Sequence, residues 1–205
     1  MNPNSVSDLE RKKQPTHQHE GVLFQVIPVS PSNTHTELQI VCFFDQSKNQ
    51  TYAGGTEAVD EHFHGEIRKL RAEALFQGER FESMVIHPSQ NQIPAKKLLM
   101  LGLGDPETLT LDTLASVGRI AVQEALKLKV SEFCFAPSLK DAGFSGLPAA
   151  DVSVVLARGM AKAITTAHVL NQRKLVEPVA LKEVIFLAGA QHLENSQAGL
   201  KKIFG

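Results

Sequence analysis

The chain predicts a three-layer α/β/α domain, with a mixed, mostly parallel sheet of about six strands. Three observations lead there. In the second half, short apolar runs alternate with segments whose apolar residues recur every three to four positions. That order places parallel strands under helices on both faces. In the first half, two strand-like runs follow one another without a helix between them, which makes the sheet mixed. The length of 205 residues, with 42% hydrophobic and 21% charged residues, suits one globular domain with a substantial core.

Residues 1–20, MNPNSVSDLERKKQPTHQHE, are polar and are expected to form a flexible N-terminal tail. The single domain is then expected over residues 21–205. GVLFQVIPV (21–29) and ELQIVCFFD (37–45) read as strands, because β-branched and aromatic residues dominate them. From Glu57 the period changes. Val59, Phe63, Ile67 and Leu70 form the apolar stripe of one amphipathic helix. MVIHP (84–88) and KLLMLGLG (97–104) are the next strands. A helix follows with Leu114, Val117, Ala121 and Leu128 on its face, capped by Thr110 or Asp112. SEFCFAP (131–137) is a strand, and residues 138–148 are a loop rich in turn formers. A helix over about 151–170, a strand over 182–189 and a short helix over 195–204 complete the chain.

The net charge of −1 removes any overall electrostatic case for nucleic acid. Cys42 and Cys134 sit in apolar runs and read as buried strand thiols rather than a disulfide framework. No stretch reaches the ~18 uninterrupted apolar residues of a membrane helix. The N-terminus lacks the apolar core of a signal peptide, so a cytoplasmic location without a membrane partner is expected.

Candidate chemistry is sparse. Gly102-Leu103-Gly104-Asp105 is a candidate ligand loop at a strand end. It departs from the dinucleotide fingerprint, since Glu107 stands at the third glycine position and Pro106 removes a backbone N–H. Asp105 and Glu107 would also repel a phosphate, and the lysine of a phosphate-binding loop is missing. A strand-exit turn is the better reading. His62 and His64 lie two apart, so a straight helix would point them roughly 200° apart, away from a shared metal. His17 and His19 fall in the expected tail, and His87 and His168 have no evident partner. Carboxylates at Asp45, Asp60, Glu61, Asp105, Glu107, Asp141 and Asp151 are scattered, although sheet-end positions such as Asp45 and Asp105 could meet in space. Hydrolase-elbow, zinc-helix and Cys-x-x-Cys motifs are all missing. The residues therefore assign no catalytic and no metal-binding role.

Taken in order, FFDQSKNQTYAGGTEAVDEHFHGEI, LFQGERFESMVIH, KKLLMLGLGDPETLTLDTLASVGRIAVQEALKLKV, VVLARGMAKAITTAHVLNQRK and KEVIFLAG resemble the N-terminal domain of leucyl aminopeptidases. In that family a strand ends in Gly-Leu-Gly before an acidic turn and a helix. A later helix carries an acidic- or Arg-Gly pair, here Arg158-Gly159, and leads towards Asn171 and Lys174. The family's Tyr-x-Phe in that later segment is missing, since Thr166, His168 and Val169 stand there. The resemblance covers about residues 21–190.

It implies a macro-domain-like fold. It also implies that the family's two divalent metals, such as zinc or manganese, belong to a separate catalytic domain whose Lys, Asp and Glu ligands this chain does not contain. No cofactor is expected here. The implied role is a non-catalytic scaffold, assembly or regulatory module, either cut from a longer peptidase or standing alone. Its partners would be the peptidase catalytic domain, other subunits or copies of itself. A macro-like pocket for ADP-ribose or another nucleotide is the alternative. DNA binding through Lys96, Lys97, Lys201 and Lys202 is a weaker one.

Overall fold

A computed structural model describes residues 6–51, 53–89 and 91–205. Seven strands form one sheet: β1 (Thr16–His19), β2 (Val22–Ile27), β3 (Leu38–Phe44), β4 (Ser83–Ile86), β5 (Leu98–Gly104), β6 (Glu132–Ala136) and β7 (Glu183–Leu187). Their spatial order is β1-β2-β7-β6-β3-β5-β4. The five inner strands run parallel, and β1 and β4 close the two edges antiparallel. This is the mixed, mostly parallel sheet that the sequence predicts. Its inner strands read as apolar runs because both of their faces are covered. All seven residues of β3, LQIVCFF, are buried.

Helices α4 (Leu111–Lys127), α5 (Ala149–Gln172) and α6 (Leu193–Phe204) cover one face. Leu114, Val117, Leu156, Met160 and Leu200 meet Phe24, Ile40, Leu99 and Phe135 there. Helices α2 (Gly54–His62) and α3 (Glu66–Ala72) cover the other, where Val59, Ile67 and Phe76 meet Val41, Met100 and Ile185. Helices α4 and α5 approach each other closely. A methyl at Gly118 would sit 2.3 Å from the Leu156 carbonyl oxygen, and one at Gly159 1.9 Å from that of Ala115. Two backbones touch where neither can carry a side chain.

Two expectations change. The helix drawn through Val59, Phe63, Ile67 and Leu70 is two helices, although Val59, Phe63 and Ile67 all stay in the covered core. The chain turns at His64 and Gly65, which adopt φ of 55° and 78°. The buried Asp60 stitches the break, accepting from the N–H of Ile67 at 2.9 Å and of Arg68 at 3.2 Å. It thereby caps the first turn of α3. The segment expected as a loose tail carries α1 (Val6–Lys13) and β1, while residues 1–5 lie outside the described residues. Strand β1 is the seventh strand, hairpin-paired to β2. Helix α1 is held by Arg11, whose guanidinium donates to Glu132 at 2.8 Å and lies 3.6 Å from Glu183. Leu9 of this polar helix is 46% exposed, and the charge of Arg11 ties the helix to the sheet.

Candidate functional site

Parallel sheets present their crevices at the carboxyl ends of the strands, and a cavity of about 310 Å³ lies there. The turn after β2 (Pro28–Pro31), the turn after β6 (Ala136–Asp141) and the turn after β7 (Leu187–Gly189) form its walls. The first turns of α2, α5 and α6 reach it through Gly55, through Ala149, Val152 and Ser153, and through His192 and Ser196. The site is thus assembled from six short segments that the sheet order brings together.

Its electrostatics follow from those helix ends. Helices α2, α5 and α6 start at Ala53, Pro148 and His192, and none of the three has a side-chain cap of its own. Free N–H groups and the helix dipole make the starts of α2 and α5 favourable to an anion, whereas α6 continues a 3-10 turn (Ala190–His192) in which the N–H groups of His192 and Leu193 already donate to the carbonyls of Gly189 and Ala190. At α2 the chain supplies that anion itself, because the Asp141 carboxylate accepts from the Gly55 N–H at 2.8 Å. The fit is tight. A methyl on Gly54, which has φ of 61°, would lie 2.4 Å from the Asp141 carboxyl carbon. Asn49 adds a second tie between the two loops, donating from Nδ2 to the Ala142 carbonyl at 2.9 Å. Of the hydroxyls, Ser153 donates to Ala149 at 3.0 Å. Ser196 is 6% exposed and lines the cavity. Ser30, Ser138, Lys140 and His192 add to the polar lining. The arrangement suits a small polar or anionic ligand.

The glycine loop does not join this site. Gly102, Gly104 and Asp105 lie outside the cavity wall. The N–H groups of Gly102 and Gly104 donate to the carbonyls of Glu82 at 2.8 Å and Gly78 at 2.9 Å. Gly102 has no room for a side chain, since a methyl would sit 1.8 Å from the Glu79 oxygen. Asp105 accepts from the Glu107 N–H at 2.9 Å and so closes its own turn. Asp45 and Asp105 do come close through their backbones, with the Asp45 N–H donating to the Gly104 carbonyl at 3.0 Å. The Asp45 carboxylate is turned to Ser47.

His62 ends α2 and His64 sits in the left-handed turn after it. His17 and His19 share the half-buried face of β1, where His19 meets the Thr165 hydroxyl at 3.0 Å. The His168 Nε2 is buried without a hydrogen-bond partner among the described residues, and His87 follows β4. Among the described residues no three His, Cys, Asp or Glu side chains gather in a way that could hold a metal ion. Cys42 and Cys134 are buried free thiols, and burial pushes Cys134 up to about 12. Lys96 and Lys97 precede β5, whereas Lys201 and Lys202 end α6 beside β1 and β2. Strands β7, β6 and β3 separate the two pairs, so they form no single basic patch.

In the sequence Asp141 is only one of several scattered carboxylates, and nothing there marks Ser138, His192 or Ser196. The readable signal was Gly54-Gly55 directly before a helix, a place where a side-chain-free turn meets free N–H groups.

Comparison with known proteins agrees with this fold. A model of the cytosol aminopeptidase family, N-terminal domain, matches residues 40–168. A probable cytosol aminopeptidase of Alkaliphilus metalliredigens is 27% identical over 114 residues, which is 56% of this chain and 22% of that protein. The chain spans about a fifth of the length of the curated relatives it matches. Among solved structures, a mutant of tomato leucine aminopeptidase superposes with a TM-score of 0.66 at 13% identity, over 93% of this chain and 38% of that one. A macrodomain of Oceanobacillus iheyensis solved with ADP superposes with a TM-score of 0.64 at 15% identity, over 93% and 96%. The fold is therefore macrodomain-like, and the chain belongs to the cytosol aminopeptidase family through that family's N-terminal domain.

Proposed function

We propose that the chain serves as a non-catalytic module of a cytosol aminopeptidase-type protein, acting in assembly or regulation of the peptidase. The observation that carries this reading is the extent of the family match, which falls on the N-terminal domain of relatives about five times longer than the matched segment. Its partner would be a peptidase catalytic domain, and the divalent metals of the reaction would be held there. A cytoplasmic location belongs to the same reading and is supported by the relatives' name. No described helix is long and apolar enough to cross a membrane. The test is hydrolysis of leucine amide by the purified chain with added manganese or zinc. No turnover is expected, and metal-dependent turnover would overturn the reading. Sedimentation of the chain with a separately expressed catalytic domain of the family should give a complex, and independent sedimentation would count against it.

A second reading rests on a different observation, the cavity ringed by three helix starts. It supports binding of a nucleotide such as ADP-ribose, on a fold shared with a macrodomain solved with ADP. Titration calorimetry with ADP-ribose decides it, because absence of heat at millimolar ligand would remove it.

A further inference from the structure

A second and larger hollow lies at the other end of the sheet, bounded by the C-terminal halves of α4 and α5 and by residues 176–180, with a volume of about 910 Å³. Its floor is apolar, with Leu126, Ala163, Ala167 and Leu170 in the lining. Val176 in this lining is 43% exposed and its chain neighbour Leu175, just outside the lining, is 67% exposed, so two exposed large apolar side chains adjoin at the edge of the hollow. Such clustering on a surface marks an interaction site more often than scattered single residues do.

The rim is predominantly basic. Arg119, Lys127, Lys129 and Lys162 line the hollow against the single acid Glu177. Lys127 is matched by Glu124 at 2.7 Å, but Lys129 and Lys162 have no ion pair among the described residues. Helix dipoles account for cations at the end of α4. They do not account for Arg119 and Lys162, which stand mid-helix.

We propose that this groove docks an acidic amphipathic segment of a partner protein, its apolar side chains on the floor and its carboxylates towards Arg119, Lys129 and Lys162. Two helices walling an apolar trough fit the helix-in-groove mode of recognition. The cations supply orientation and rate of encounter. A nucleic acid fits less well: its phosphates would leave the apolar floor uncovered, and the lining has no aromatic side chain on which a base could stack. The groove lies away from the cavity described above, so this proposal stands apart from both functional readings.

The test uses the full chain and a fluorescein-labelled peptide of about sixteen residues, with leucines at i, i+3, i+4 and i+7 and glutamates elsewhere. Anisotropy should show saturable binding that weakens with salt. The charge-reversed peptide, with lysine for glutamate, should not bind. The pair Arg119→Glu and Lys162→Glu should weaken binding by roughly tenfold or more. Thr166→Trp, at an exposed position in the lining, should block the trough without altering its charge. Lys201→Glu on α6 should leave binding unchanged, and thermal melting establishes that each variant folds. Equal binding of both peptides, no binding at millimolar peptide, or indifference to both groove changes would overturn the proposal. Tighter binding of phosphatidylserine vesicles or single-stranded DNA than of the acidic peptide would overturn it as well.

Discussion

Glu37 shows how one side chain ties distant segments together. Its carboxylate accepts from the Ser131 N–H at 2.6 Å and from the Ser131 hydroxyl at 3.0 Å, and lies 3.3 Å from the Lys96 ammonium. The Ser131 N–H, bonding the charged form, holds the carboxyl below its ordinary range, and Lys96 adds to this. The unfolded chain therefore takes up the proton first. The stabilisation is complete above the ordinary carboxylate pKa and is lost as pH falls through the lowered one. Glu37→Gln should lower stability at pH 7 by about 1–2 kcal/mol and match the wild type in strong acid, as read from urea melts across pH. Asp141 is the counterpart at the cavity. Asp141→Ala removes the acceptor for the first turn of α2 and should cost about 1 kcal/mol. Hydrogen exchange at the Gly55 amide should accelerate by roughly fivefold, and unchanged exchange would show that the contact does not hold the loop.

At the scale of elements, the pairing of α4 with α5 is the most demanding contact. Gly159→Ala drives a methyl into the Ala115 carbonyl, and neither backbone can move alone. A loss of about 1–3 kcal/mol is expected, seen in calorimetry as a melting temperature lower by roughly 2–12 °C. Most elements were legible in the sequence. Strands β2, β3, β5, β6 and β7 stand out because burial makes them predominantly apolar runs, with the buried Gln25 and Gln39 as interior exceptions. Helices α4 and α5 stand out by their period. The elements that escaped are those whose stability comes from elsewhere. Strand β1, Thr-His-Gln-His, is four polar residues that exist because β2 offers an edge. Helix α1 depends on two carboxylates more than a hundred residues away. The break at His64 and Gly65 keeps the apolar stripe in phase, so periodicity alone does not reveal it. The cavity escaped for a related reason: its wall is built from turns spread from Pro28 to Ser196, and turns carry no period.

For the whole molecule, the link between α1 and the sheet is ionic. Glu183 is held above the ordinary carboxylate range chiefly by burial, against the pull of Gln25 and Arg11. A raised carboxyl contributes stability that is present below the ordinary pKa and lost as pH rises through the raised one. Arg11→Met leaves Glu132 and Glu183 without their cation and should raise Glu183 further. The expected loss is about 3 kcal/mol at neutral pH, shrinking as the solution is acidified towards pH 4. A loss that is constant with pH would place the role of Arg11 in packing. Helix α5 connects the two hollows, with Ala149 and Ser153 lining the cavity and Lys162 and Leu170 lining the groove. Its 24 residues make a rod of about 36 Å. Gly159, near its midpoint, rests directly on α4. In mechanical terms that contact is a fulcrum. With each arm about 16–20 Å long, a tilt of a few degrees about it would carry the two ends of the rod roughly 1 Å in opposite directions, so the ends cannot move as independent parts.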